Sequence, residues 1–183
     1  MIYVLPTDTC FWLACVMSDK REYHKIYKLK KRDWRKPLAL MVEDFDWLSE
    51  HTELTDEQVE FLEDYDKPFT VLTQCDRVKM YLDFDDPEEW DFLNSNVYEE
   101  IAFRVAHNNV QKKLIHKEGP IFLTSANRSW DWEIYDIQSI EDIFWDDKYI
   151  DIRAENDLRN EYKFSDIFRF IWDTTEVEYI RQA

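Results

Sequence analysis

The chain has 183 residues, 45% of them apolar and 34% charged, with 40 acids against 23 lysines and arginines and a net charge of −17. This length fits one domain able to bury a real core, and so aromatic an apolar content excludes disorder. So acidic a surface repels a duplex phosphate backbone and excludes broad nucleic-acid binding, leaving only local RNA contact, and no run approaches the roughly 20 apolar residues of a membrane span.

In chain order, Ile2 to Leu5 is a short apolar run stopped by Pro6 and predicts a strand at the start of the chain. This beginning lacks the charged and long apolar regions of a signal peptide. Asp19 with Glu22 forms a capping-box signal, and Tyr23, Ile26 and Tyr27 supply the apolar stripe of a helix to about Lys31. A buried strand is expected over Pro37 to Val42. Thr55 with Gln58 opens a second helix to Tyr65, and Phe69 to Leu72 is the next strand.

The stretch Asp83 to Asp91 carries six acids and one proline, and lacks the glycine and ordered spacing of a calcium loop. Ile101 to Val105 reads as an inner strand with Arg104 in its middle. An arginine there must be paired or face a cleft, because a lone buried charge costs several kcal/mol. Asn109 to Lys117 is a helix stopped by Gly119 and Pro120, and Pro120 to Ala126 a strand running into Asn127. A helix near Ser139 to Phe144 and strands near Tyr149 to Arg153, Phe164 to Ile171 and Val177 to Arg181 complete a mixed α/β or α+β domain over residues 1–183, with a sheet of about seven strands.

Three cysteines, Cys10, Cys15 and Cys75, make no C-x-x-C pair and read as free thiols in a reducing compartment, which predicts a cytoplasmic location. His24, His51, His107 and His116 fall on no motif and are expected at the surface, and no metal-ligand cluster stands out. Against the acidic background, residues 20–36 hold nine lysines and arginines and only two acids, a window near +7. Such an island is either a solvated lysine-rich helix face or a site for an anion, of which a polyphosphate fits best.

Pro6-Thr-Asp-Thr-Cys-Phe-Trp-Leu13, Leu29-Lys30-Lys31-Arg32 with Lys36-Pro37-Leu38, Ile101-Ala-Phe-Arg-Val-Ala106 and Thr124-Ser-Ala-Asn-Arg-Ser-Trp130 put polar groups at strand ends, where open sheets bind ligands. In this order the segments resemble the Sua5/YciO/YrdC family of threonylcarbamoyl-AMP synthases, with Ser165-Asp-Ile167 and Ile180-Arg-Gln-Ala183 as the terminal pattern. The resemblance implies a YrdC-like twisted, mixed open sheet flanked by helices, with a concave cleft. The family's usual first helix is absent ahead of the opening strand, which predicts a short form or a start codon placed late.

The resemblance also implies a nucleotidyltransferase that makes threonylcarbamoyl-AMP and pyrophosphate from L-threonine, bicarbonate and ATP for the t6A modification of tRNA. By carry-over, Lys30 and Arg32 are the catalytic cations. Lys30, Arg32, Lys36, Asn127 and Arg181 hold ATP, and Thr9, Arg104, Ser125 and Ser165 line the threonine pocket, while Thr7 shapes the backbone. Mg²⁺ is expected to enter with ATP, held through phosphate and water, and the tRNA threonylcarbamoyl-transfer machinery is the expected downstream partner. The alternative is a catalytically impaired member that binds nucleotide or RNA.

One departure carries its own expectation. The chain has one glycine and eight tryptophans, where a domain this size averages about 13 glycines. Trp12, Trp130 and Trp145 stand where similar chains carry glycine, which predicts UGA codons that the source organism decodes as glycine.

Overall fold

In a computed structural model, the described residues are 1–33, 35–75, 100–127, 131–144, 150–153 and 164–183. The acidic stretch Asp83 to Asp91 and Trp34, Trp130 and Trp145 lie outside them. Among the described residues the elements run β1 (Ile2–Pro6), β2 (Phe11–Val16), α1 (Lys20–Lys30), β3 (Ala39–Val42), α2 (Phe45–His51), α3 (Asp56–Glu63), β4 (Phe69–Thr73), β5 (Ile101–Val105), α4 (Asn109–Glu118), β6 (Ile121–Ser125), α5 (Ile137–Phe144), β7 (Ile150–Ile152), β8 (Asp166–Phe170) and β9 (Val177–Arg181).

The nine strands form one mixed sheet in the order β7-β1-β2-β6-β3-β5-β4-β8-β9. That is more than the estimate of about seven: eight of the strands fall on runs named in the sequence, and β2, legible only as part of a motif, is the ninth. It turns back antiparallel on β1, pairing Leu5 with Trp12 and Pro6 with Phe11. The short helix α2 was likewise not expected. Asp44 caps it by accepting from the Trp47 amide at 2.9 Å, but the helix buries only Leu48.

Alternation along each strand divides the core. Ile2, Val4, Phe11, Leu13, Leu40, Val42, Phe103, Phe122 and Phe168 face one side, where Tyr23 and Ile26 of α1, Leu48 of α2, Val59 and Leu62 of α3 and Ile140 of α5 pack on them. Tyr3, Leu5, Ala14, Met41, Ile121 and Leu123 face the other, against Leu114 and Ile115 of α4. One face thus carries four described helices and the other one. Both faces are covered at the β1 and β2 end, so those strands read as continuous apolar runs.

Thr55 and Gln58 make the expected full capping box on α3. A second full box, Asn108 with Gln111 on α4, was not among the sequence expectations. The box expected from Asp19 and Glu22 is half made: Asp19 accepts from the Glu22 amide at 3.2 Å to start α1, while the Asp19 amide donates to the Val16 carbonyl. Gly119, at φ +83°, ends α4 as the predicted stop. α1 ends on Lys31 in the left-handed region, φ +49°, with the Lys31 amide donating to Lys28 and the Arg32 amide to Tyr27. That tight closure turns the chain so that Arg32 leaves the helix toward the sheet.

Candidate active site

Among the described residues the face that carries α4 bears no other helix, and beyond α4 none covers the middle of the sheet. Ala39 of β3 and Ala102 of β5 form a floor of small side chains there, and Leu123, Thr124, Thr70 and Ile167 continue it. A cavity of about 220 Å³ stands over this floor, walled by Thr9, Cys10, Trp12, Arg32, Ser125, Glu133, Phe164, Ser165 and Arg181. Against it lies a second cavity of about 280 Å³, lined by Lys30, Lys31, Arg32, Asp33, Lys36, Ser125 and Asn127. Arg32 and Ser125 line both. Of the residues assigned from the sequence to ATP or threonine, all but Arg104 therefore line one bipartite cleft.

The cationic half is built by side chains holding backbone. Lys30 is 3% exposed, and its ammonium donates to the carbonyls of Ser125 and Asn127 and, at 3.4 Å, to Asn127 Oδ1. It thus ties the end of α1 to the turn after β6. Burial, then the neighbouring Arg32 charge, lowers its pKa to about 8. The Asn127 amide donates to the Asp131 carbonyl at 2.6 Å, closing that turn. Arg32 donates from Nε to the Lys36 carbonyl and from Nη2 to the Pro37 carbonyl, each at 3.0 Å. The guanidinium is fixed by its own loop before any ligand arrives, which lowers the ordering cost of binding an anion.

The other half is lined by hydroxyls. Thr7 donates to the Cys10 carbonyl at 2.7 Å and accepts from the Thr9 amide at 3.2 Å, shaping the loop between β1 and β2. This presents the buried Thr9 hydroxyl, 3.1 Å from that of Thr7. Ser165 lies 3.1 Å from the Thr70 hydroxyl. Arg181 of β9 reaches over the Phe164 ring, 5.5 Å from its centroid, and donates to the Ser165 carbonyl at 2.9 and 3.1 Å. Burial and the charge of Arg104 both lower the Arg181 pKa, yet an arginine remains cationic at neutral pH. Burial pushes the Cys10 thiol up to about 11, so the cysteine in the wall is neutral and no nucleophile.

Arg104 is placed differently from the expectation. Although 2% exposed, it lines a separate cavity of about 480 Å³ with Asp8, His107 and Lys112. Its Nη2 pairs with the Asp8 carboxylate, and its guanidinium lies over the Trp12 ring, 4.9 Å from the centroid. Trp12 thus stands between Arg104 and the cleft. The sequence showed that this arginine needed a partner but not that the partner was Asp8, 96 residues away. Sequence reasoning also missed Glu133, Thr70 and Phe164, which carry no local motif and reach the wall only through the sheet order. The histidines divide, with His107 and His116 exposed and His24 and His51 half-buried, His51 edge-on to Trp47 at 4.6 Å. Cys10, Cys15 and Cys75 are buried, and none of them is in a disulfide among the described residues.

Among the described residues no cluster of three or more acids, histidines or cysteines is poised to hold a metal, and no helix is long and apolar enough to cross a membrane.

The comparisons with known proteins give a family and a fold. The Sua5/YciO/YrdC family model, described as telomere recombination, matches residues 1–183. Threonylcarbamoyl-AMP synthase of Blochmanniella pennsylvanica (strain BPEN) is 22% identical over 150 residues, covering 77% of this chain and 70% of that protein. The structure of P. abyssi Sua5 complexed with L-threonine superposes with a TM-score of 0.73 at 19% identity, over 98% of this chain and 49% of that one. The chain therefore spans about half the length of that relative. E. coli YciO superposes with a TM-score of 0.70 at 19% identity, over 99% of this chain and 82% of YciO. At these identities the superpositions establish the fold.

Proposed function

Because this chain belongs to the Sua5/YciO/YrdC family, we propose that it is a nucleotidyltransferase that condenses L-threonine, bicarbonate and ATP to threonylcarbamoyl-AMP and pyrophosphate, feeding the t6A modification of tRNA in the cytoplasm. The observation that carries the reading is the bipartite cleft, whose cationic and hydroxyl-lined halves share Arg32 and Ser125. One half suits a triphosphate and the other a small polar amino acid, with the reacting atoms meeting where the halves join.

In this reading the threonine amine and bicarbonate form a carbamate with loss of water. A carbamate oxygen attacks the α-phosphorus of ATP, the bond to the bridging α–β oxygen breaks, and pyrophosphate departs with the electron pair. No enzyme nucleophile is required. The protein contributes positioning and neutralisation of charge, the terms that dominate phosphoryl-group chemistry. Arg32 and Lys36 face the polyphosphate, Asn127 the nucleotide, and Arg181 spans the mouth of the cleft. Lys30 contributes charge from beneath the turn that it holds. Thr9, Ser125 and Ser165 offer hydroxyls to threonine. Mg²⁺ would be held by the ATP phosphates and water, where it would neutralise phosphate charge. The product passes to the tRNA threonylcarbamoyl-transfer machinery.

The test is pyrophosphate release from the purified chain. Release that requires both ATP and threonine is expected. A second reading, an impaired member that only binds nucleotide, is favoured by one observation, the Asp8-paired Arg104 beneath Trp12. ATP binding in titration calorimetry without threonine-dependent release would establish that reading instead.

A further inference from the structure

Four tryptophans fall among the described residues, and they behave in three ways. Trp47 is placed as a tryptophan normally is, half-buried against the core, with its ring 4.6 Å from that of His51 and 5.9 Å from that of Phe103. Trp172 is the opposite case. It sits in the turn joining β8 to β9, at φ +56°, with 87% of its surface exposed. A bulky side chain in the left-handed region costs about 1–2 kcal/mol, a cost normally avoided by glycine. Only the backbone of Trp172 has a role, its carbonyl accepting from Gln58 Nε2 at 2.8 Å. Trp132, 89% exposed, likewise packs on little.

Trp12 fails in a third way. Its buried indole Nε1 has only the Cys10 thiol beside it, and Nη1 of the adjacent Arg104 is buried without a hydrogen-bond partner among the described residues. Neither donor meets an oxygen or nitrogen acceptor there, and an unsatisfied buried donor costs about 1–3 kcal/mol. The indole lies over the guanidinium and walls it from the hydroxyl-lined cavity. With a hydrogen in place of the indole, that cavity extends to Arg104 and brings a buried cationic donor into reach of a carboxylate.

We propose that position 12 gates the amino-acid subsite and that the source organism fills positions 12, 132 and 172 with glycine by decoding UGA codons, while position 47 is a genuine tryptophan. One cause then explains a single glycine beside eight tryptophans, a tryptophan at positive φ and two buried donors that meet no oxygen or nitrogen acceptor among the described residues. The gate rests on the amino-acid reading of the pocket given above; the decoding does not.

Peptide mass spectrometry of the protein purified from its source, alongside the gene sequence, reads the decoding directly. The expected result is glycine at 12, 132 and 172 over UGA codons, with tryptophan at 47 over UGG. Tryptophan at 12 and 172 in the native peptides overturns the decoding. For the gate, recombinant chain with tryptophan at every position is compared with Trp12→Gly and with Trp172→Gly by threonine titration calorimetry in the presence of ATP. Trp12→Gly is expected to tighten threonine binding at least tenfold. Trp172→Gly is expected to raise the melting temperature and leave threonine binding unchanged. Native glycine at position 12 without a gain in threonine affinity overturns the gate and counts against the threonine reading, while the decoding stands.

Discussion

The two halves of the cleft keep their polar groups in order by opposite means. In the cationic half, Lys30 and Arg32 are tied to backbone carbonyls, four between them, so positive charge is fixed before a ligand arrives. In the hydroxyl-lined half, side chains bond one another in pairs, Thr7 with Thr9 and Thr70 with Ser165, and the one buried arginine nearby is neutralised by Asp8. A carbonyl lends the cation only a partial dipole and leaves its charge for an anion, whereas a carboxylate cancels it. The first half therefore keeps its positive charge for an anion, whereas in the second Arg104 is already paired with Asp8 and has only Nη1 left to donate.

The sharpest way to break this contrast is at Arg32, the side chain common to both cavities. Arg32→Ala is expected to lower threonine-dependent pyrophosphate release by about 100- to 1,000-fold, the scale for losing one preorganised charge-stabilising donor. Arg32→Lys should recover little, because a lysine cannot reproduce the two-carbonyl anchorage. Unchanged release in the alanine variant would separate the loop from the chemistry.

Lys30 offers a test in pH. Its pKa of about 8 means that the ammonium is charged below that pH and neutral above it, so ATP affinity is expected to fall as pH rises through about 8. Lys30→Arg should remove that limb. Stability moves the other way. The folded value lies below the usual lysine value of 10.5, so the unfolded chain binds more protons between the two, and this group's contribution to stability rises with pH across that window. An ATP affinity flat from pH 7 to pH 9 would contradict the placement of Lys30.

Away from the cleft, Gln111 tests the scaffold. It is fully buried; its amide donates to the Pro6 carbonyl at 2.8 Å, and its carbonyl accepts from the His107 amide at 3.0 Å while completing the α4 cap. Gln111→Ala is expected to cost about 1–3 kcal/mol in urea unfolding, the scale for orphaning buried polar groups. The smallest expected effect is Ser165→Ala, a threonine KM raised by about tenfold with stability lowered by about 1 kcal/mol. An equal loss in kcat and no change in KM would move Ser165 from binding to chemistry.

Much of this architecture is local enough to be read from the residues. Asp19 and Thr55 cap helices that begin at the next residue, and Gly119 ends α4. Strand β2 was hidden because the Thr7-Asp-Thr9 loop before it lacks the Asn-Gly or Asp-Gly pair that marks a tight hairpin. Helix α2 was hidden because one buried leucine in seven residues gives no periodicity. At the site, residue types and spacing singled out the cations, but not what holds them. Lys30 meets oxygens 95 and 97 residues away, and Arg104 an acid 96 away. Such pairings follow from the strand order, which no local pattern encodes.

The central claim, that the early helix-loop and the turn at Asn127 form one nucleotide site, is tested most directly by a crystal structure of the chain with a non-hydrolysable ATP analogue. The account predicts the triphosphate against Arg32 and Lys36, with Asn127 on the nucleotide and the α-phosphate at the junction beside Ser125. A nucleotide bound elsewhere, with that cleft empty, would contradict it.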